Sequence, residues 1–303
     1  PNEWADSDGD GIGDNVDTIW NLSPGDSIQE AINNVPSGFV IELAAGTYNE
    51  GNLGTVGKAI TIQGTLNGDG TLATTIDAQQ GGSVFIIDSG EGSGTVIMNL
   101  VITGGDSNDG GGGISCKAES SPTIKNCTIA NNSGPNGGGG IYCYNRSNPM
   151  IENCIISNNS TNYEGGGVYC SYNSVPNIAN SSIVDNNATL GGGLYLLGGS
   201  VENCIISGNT ATNNGGGIYC DGGNPMLNGC TITNNTADDS GGGFHSVLSN
   251  PTISSSLIVN NNATRDGGGI RIVQGNGTIT GCQILDNHAL YQGGGIDLRN
   301  YTT

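Results

Sequence analysis

The chain has 303 residues, of which 55 are Gly, while aromatics make up only 5%. A core of large side chains is therefore excluded, and so is collagen, because the glycines keep no three-residue period and only 9 Pro accompany them. With 27 acids against 7 bases and a formal net charge of −20, no basic patch for nucleic acid or for an anionic membrane surface can be assembled. The balance favours cations as partners. No apolar run is long enough to span a bilayer. The opening Pro1-Asn2-Glu3 has neither Met nor a hydrophobic leader and fits a processed chain, so a secreted or cell-surface location is expected.

Three segments are expected in chain order: an acidic loop and lead-in over 1–23, a helical cap with a first coil over 24–50, and a coil stack over 51–303 that becomes regular from about 95. In the first, Asp6, Asp8, Asp10, Asp14 and Asp17 fall at positions 1, 3, 5, 9 and 12 of a loop with Gly11 at position 6. That spacing wraps oxygen ligands around a hard cation, with the Ile12 carbonyl as the position-7 ligand, so Ca²⁺ is the expected cofactor. An acidic linker is the plainer reading. In the second, Ser27 and Glu30 form a capping box, and Ile28, Ala31, Ile32 and Val35 form the apolar stripe of a short helix. Strand-like runs follow at Val40–Leu43, Ala59–Gln63, Val84–Ile87 and Val96–Ile102.

From there a repeat governs the chain. A Gly-Gly-Gly-apolar motif ends at Gly113, Gly140, Gly167, Gly193, Gly217, Gly243, Gly269 and Gly295, in steps of 27, 27, 26, 24, 26, 26 and 26 residues. A second motif keeps phase with it, placing Asn132, Asn159, Asn186, Asn209, Asn235, Asn261 and Asn287 in turns. Apolar residues alternate between them, which indicates short strands. Three short strands separated by bends predict an all-β, right-handed parallel β-helix of about 26 residues per coil with an N-terminal capping helix. Asn126, Asn153, Asn180, Asn203, Gly229, Ser255 and Gly281 share one phase and predict a corner at positive φ. Ile114, Ile141, Val168, Leu194, Ile218, Phe244, Ile270 and Ile296 form one internal column. The turn asparagines are expected to hydrogen-bond along the axis. The chain stops part-way through a coil, so a downstream segment or a second molecule is expected over that edge.

Nine cysteines fall in two inward columns, Cys116, Cys143, Cys170 and Cys220 in one, and Cys127, Cys154, Cys204, Cys230 and Cys282 in the other. Parallel Cβ vectors favour free buried thiols over axial disulfides, and no CxxC motif or His pair supports a metal site. One outward column reads Tyr142, Tyr169, Tyr195, Tyr219, His245, Arg271 and Asp297. Its tyrosines are expected to form a flat strip that meets a glycan or a protein partner, or simply to support one another on the sheet. Ile155, Ile205 and Leu257 face outward on another side, under loops or at a lateral contact.

Gly-Gly-Gly-Ile together with Ile129-Ala-Asn-Asn132 resembles the repeats of chlamydial polymorphic outer-membrane proteins. It also resembles the pectate-lyase-like group of secreted right-handed β-helix proteins. Ile28-Gln-Glu-Ala-Ile32 and Val40-Ile-Glu-Leu-Ala-Ala-Gly-Thr-Tyr48 are similar to the cap and first coil of that group, pectin methylesterases included, and the similarity covers nearly all of 24–300. The stretch Asp6–Asp17 is similar to a thrombospondin type 3 repeat, though it stands as a single unit without Cys. The scaffold hosts adhesins, lyases, hydrolases, epimerases and fibre proteins, so the resemblance implies fold and leaves activity open. The catalytic motifs of pectin methylesterases, pectate lyases and polygalacturonases match no positions here.

Two functions follow as expectations. The first is a non-catalytic extracellular structural or adhesive rod, assembled head-to-tail or laterally with itself into a fibre, or meeting a surface glycan. The alternative is a polysaccharide lyase in which His245 or Tyr219 abstracts a proton and Arg271 neutralises a uronate. Only 2 His and 7 Lys and Arg in a chain of net charge −20 weigh against an anionic polymer as substrate.

Overall fold

The computed structural model describes residues 18–300. The acidic loop with its candidate Ca²⁺ ligands Asp6, Asp8, Asp10, Ile12, Asp14 and Asp17 lies outside the described residues. The rest is the expected parallel β-solenoid. One sheet of eleven strands begins at Ile19–Leu22 and Val40–Leu43 and ends at Thr278–Thr280; a second of ten runs from Gly46–Tyr48 to Gln283–Leu285; a third of ten, carrying the triple glycines at its strand starts, runs from Leu53–Gly54 to Ile296–Arg299. Neighbouring strands are parallel and one coil apart, as in Ile114↔Ile141 and Thr128↔Ile155. A fourth, five-stranded sheet was not anticipated. It stacks Asn187–Ala188, Thr210–Ala211, Thr236–Ala237, Asn262–Ala263 and His288–Ala289 just after the turn asparagines. Single bridges Asp106↔Ser133↔Ser160↔Asn187 extend that line back through the earlier coils.

The corner column behaves as its residue types demand. Asn126, Asn153, Asn180, Asn203, Gly229, Ser255 and Gly281 all sit at φ between 49° and 65°, the left-handed region that Asn and Gly tolerate best. This sharp bend lets Ile124 and Cys127, three residues apart, both point into the core. The run Val96–Ile102 is divided by such a corner at Asn99, giving separate strands Val96–Met98 and Val101–Thr103 in two sheets. The interior is filled by like on like, Ile114, Ile141, Val168, Leu194, Ile218, Phe244 and Ile270 all being buried, whereas Ile296, on the last strand of the sheet with no described coil above it, is 38% exposed and departs from the expected internal column. The nine cysteines are free thiols, all buried except the half-buried Cys282.

The three glycines have separate jobs. At Gly215 the backbone has φ +68°. A Cβ on Gly216 would overlap the Thr236 carbonyl, and one on Gly217 would lie 2.6 Å from the Gly243 oxygen and 3.1 Å from Asn235 Nδ2. A left-handed turn and two close passages of backbone over the next coil are thus met in one tripeptide.

The helix Ile28–Asn34 buries Ile28, Ala31 and Ile32 over the first coils. Its capping differs from the expected box in one half. Ser27 Oγ does accept from the Glu30 N–H at 3.1 Å, but the carboxylate at this end is that of Glu50. It accepts from Ser27 Oγ and from the backbone N–H groups of Ile28 and Gln29 at 2.7–3.1 Å. At the other end Lys58 Nζ donates to the carbonyls of Ile32, Asn33 and Val35. Opposite charges from the coil beneath thus meet the two ends of the helix dipole.

Candidate functional site

The outward column of the glycine sheet brings the candidate residues into one line. In register it reads Gly54, Ile86, Ser115, Tyr142, Tyr169, Tyr195, Tyr219, His245, Arg271 and Asp297. Of the two expected arrangements, an open strip or rings that support one another, its geometry is the second. Coils repeat at ~4.8 Å, close to the spacing at which aromatic rings stack, so the rings stand on edge and cover one another. Centroids are 5.2, 5.0 and 5.5 Å apart from Tyr142 through Tyr219, and His245 continues the stack at 5.3 Å, with interplanar angles of 17–33°. Tyr169, Tyr195 and Tyr219 are only 7–9% exposed, with Leu190, Leu197 and Val247 packed against them. The faces that would meet a sugar ring are already occupied by neighbouring rings.

The electrostatics follow from this burial. It pushes the Tyr142 hydroxyl up to about 12, with Tyr144 adding to it. Tyr219 rises to about 12 for the same first cause, reinforced by Asp221 and Glu164. Tyr169 and Tyr195 are pushed up further still, chiefly by burial. Glu164, over the same rings, is itself raised by burial and by Asp221. None of these phenols supplies a phenolate base at neutral pH.

His245 is 4% exposed. Its Nδ1 lies 3.3 Å from the Ser240 carbonyl, and burial together with the Arg271 charge lowers its pKa to about 4. Arg271 is spoken for by carboxylates. Its Nη2 is 3.3 Å from Asp266, and its Nε is 3.2 Å from Asp297 Oδ2, though that N–H is not aligned on the oxygen. Nη1 donates to Ser240 Oγ. Arg299 closes the group, 3.5 Å from Asp266 and 3.1 Å from Asp297. Two guanidinium groups and two buried carboxylates therefore alternate around one knot, and the positive charge a uronate would need is neutralised within it. Sequence reasoning placed Arg271 and Asp297 in the column but missed Asp266, Arg299 and Ser240. A signal existed, since Ser240 and Asp266 each immediately precede a triple glycine, at the same phase.

On the second sheet Ile155 and Ile205 remain 47% exposed. Ser182 stands between them in register, and Thr231 separates Ile205 from Leu257. Polar residues thus separate the three along the column, and Ile155 borders a cavity that Leu66, Leu72 and Val101 also line. Among the described residues no three His, Cys, Asp or Glu side chains converge to hold a metal, and no helix is long and apolar enough to cross a membrane.

Residues 66–237 match the family model described as a right handed beta helix region. No curated protein matches the chain. Among solved structures, the chain is similar to the pectate lyase Pel9A, with a TM-score of 0.47 at 12% identity over 92% of this chain and 78% of that one. It is also similar to the ORF18 protein of Geobacillus virus E2, with a TM-score of 0.45 at 14% identity over 93% of this chain and 62% of that one. A third is a mannuronic acid specific polysaccharide family 6 lyase from human gut microbiota, with a TM-score of 0.37 at 10% identity over 94% and 91%. Likenesses this distant concern the path of the backbone and carry nothing about activity. The match over residues 66–237, on a solenoid of stacked parallel coils, establishes that the chain belongs to the right-handed β-helix family.

Proposed function

We propose that this protein is a non-catalytic extracellular β-helix, a rigid structural or adhesive rod, and not a polysaccharide lyase. The observation that supports this reading is the closed state of the column a lyase would use. Arg271 is held between Asp266 and Asp297, and His245 is buried between Tyr219 and Arg271. A base needs a path to a sugar proton, and a cation needs free charge toward a carboxylate. Neither is offered. Incubation of the protein with polygalacturonate and with alginate is expected to yield no unsaturated product by ultraviolet absorbance, in Ca²⁺ or in chelator. Product that forms with the native protein and disappears in His245→Ala would replace this reading with the lyase.

The same proposal assigns Ca²⁺ to Asp6, Asp8, Asp10, the Ile12 carbonyl, Asp14 and Asp17, on the strength of their spacing, and head-to-tail association to the rods. Native mass measurement in Ca²⁺ and in chelator is expected to find assemblies that shrink when the ion is removed. A strict monomer in both conditions removes assembly from the proposal.

A further inference from the structure

The buried tyrosine ladder has an open end at the surface. Tyr144, one residue past the strand Ile141–Cys143, stacks on Tyr142 with ring centres 5.8 Å apart and planes inclined by 10°. On its other side it meets Tyr172, which follows the neighbouring strand Val168–Cys170 one coil on, at 4.4 Å and 44°. Aromatic pairs usually stand ~4.5–7 Å apart, so these two rings touch. Their hydroxyls are neighbours too. Loss of surrounding water raises the Tyr144 phenol above its ordinary value, and a hydrogen bond with the Tyr172 hydroxyl adds to the rise.

Neither the turn nor the core calls for an aromatic residue at 172. Tyr172 stands at φ 50°, the left-handed region that suits Gly and Asn better than a bulky side chain. In the preceding coil the turn beside it holds Asn145 and Arg146 at φ 56° and 58°, and the Arg146 N–H donates to the Tyr172 carbonyl at 3.0 Å. The Tyr172 side chain is 64% exposed, so it does not fill the interior. What it gains is the contact with Tyr144.

We propose that Tyr144 and Tyr172 are a site of oxidative cross-linking, joined across two coils by a carbon–carbon bond when hydrogen peroxide acts on them through a haem peroxidase. Each phenol gives up one electron and its hydroxyl proton and becomes a phenoxyl radical. The two electrons and two protons reduce one peroxide to two waters. The radicals then combine, forming a bond between the ring carbons adjacent to the hydroxyl-bearing ones. The hydrogens on those carbons pass through water to the oxygens and restore both phenols. The product is dityrosine, two hydrogens lighter than the parent chain. Coupling within the pair outruns coupling between molecules, because the rings are held together before the radicals form. Tyr169, Tyr195 and Tyr219 do not compete, since Leu190, Leu197 and Val247 pack over them and keep the oxidant away. Tyr163 and Tyr291 are exposed, but among the described residues neither touches a second aromatic ring. The inference is read from a covalent product, so it holds or fails independently of the reading of function above.

Treatment of the full chain with hydrogen peroxide and a haem peroxidase tests it, with free tyrosine in the same mixture as the control for the oxidant. The single chain, isolated under denaturing conditions, is expected to gain dityrosine fluorescence and to lose the mass of two hydrogens. Peptide mapping is expected to find Tyr144 linked to Tyr172. Tyr144→Phe and Tyr172→Phe each keep the ring and remove one phenol, so each is expected to abolish that fluorescence while keeping the native circular dichroism spectrum. Tyr163→Phe and Tyr291→Phe are expected to retain it. The proposal is overturned if the native chain forms no dityrosine while free tyrosine does, if the mapped links join other tyrosines or only separate chains, or if a folded Tyr172→Phe still fluoresces as the native chain does.

Discussion

Replacing Asn209 by leucine is expected to lower the stability of the solenoid by about 3–5 kcal/mol, near the upper limit for a single substitution. The reason is the ladder in which Asn209 sits. Each turn asparagine from Asn132 to Asn261 is buried and passes hydrogen bonds to the next coil. Asn209 Oδ1 accepts from both the backbone N–H and the side-chain amide of Asn186, at 3.0 Å each. Its own Nδ2 donates to the Ile183 carbonyl and to Asn235 Oδ1, at 2.9 Å each. Leucine has the same branched skeleton, is bulkier, and can do none of this. The Asn186 amide keeps its bond to Ile156 and Asn235 Oδ1 keeps its bond from the Asn209 backbone. The Asn186 N–H and the Ile183 carbonyl lose their side-chain partner in an interior without water. A buried polar group left without a partner costs about 1–3 kcal/mol, and here the Asn186 N–H is one, lost together with the amide–amide bonds and with one of the bonds to the Ile183 carbonyl. Because each coil is held mainly by its neighbours, the damage is expected to divide unfolding into two steps at that coil. Denaturant titration followed by circular dichroism reads both effects. Asn153→Gly serves as the comparison, since its φ of 52° suits glycine and its cost is expected to stay below about 1 kcal/mol. Equal losses from the two variants would show that the ladder contributes nothing particular.

That ladder was legible before any coordinates, and the reason is geometric. A solenoid returns equivalent positions to equivalent surroundings, so a residue type demanded once is demanded at every coil. Gly at the left-handed turn, Asn at the corner and Ile in the core thus appear as periods in the sequence. What occurs once, or depends on a distance between coils, leaves no such trace. Glu50 in place of Glu30 at the helix N-terminus is one case, being a contact between segments more than twenty residues apart. Glu91 is another. It is buried in a loop of the irregular N-terminal coils, where its carboxylate accepts from Thr55 Oγ, Gly57 N–H, Ser89 N–H and Ser120 Oγ, and so ties three coils together. Burial alone would raise its pKa, but those four hydrogen bonds outweigh it and hold the group below its ordinary range. The tyrosine column shows a third limit. Its membership was readable from the repeat, but the orientation of the rings was not, because edge-on stacking follows from the match between coil spacing and ring thickness. Of the two roles expected of the column, a contact surface or mutual support on the sheet, that orientation favours support.

The same stack makes the stability of the rod sensitive to pH at one residue. His245 takes the ring position after Tyr219 and faces Arg271 on the next coil, with Ser240 and Asp239 beside it. In the unfolded chain its imidazole titrates near its ordinary value of 6.5, whereas burial and the Arg271 charge lower it to about 4 in the fold. Between those values the unfolded state binds the proton and the folded state does not. Stability from this group is therefore fully present above about pH 6.5, declines as the pH falls, and is lost once the pH passes below about 4. The size of the effect is about 3 kcal/mol. Carboxylates such as Glu91 add their own loss at the acid end, so the measurement must be a difference between two proteins that share them. His245→Tyr provides it. A fifth tyrosine continues the stack from Tyr219 toward Arg271, keeps an aromatic face for the guanidinium and has no proton to gain between pH 7 and 4. The variant is expected to lie within about 1 kcal/mol of the native protein at pH 7. It is expected to exceed it by about 3 kcal/mol near pH 4, as read from denaturant midpoints at each pH. Parallel acid slopes for the two proteins over that range would mean that the imidazole is protonated in the fold, and that the knot of Arg271 and Arg299 leaves room for a third positive charge.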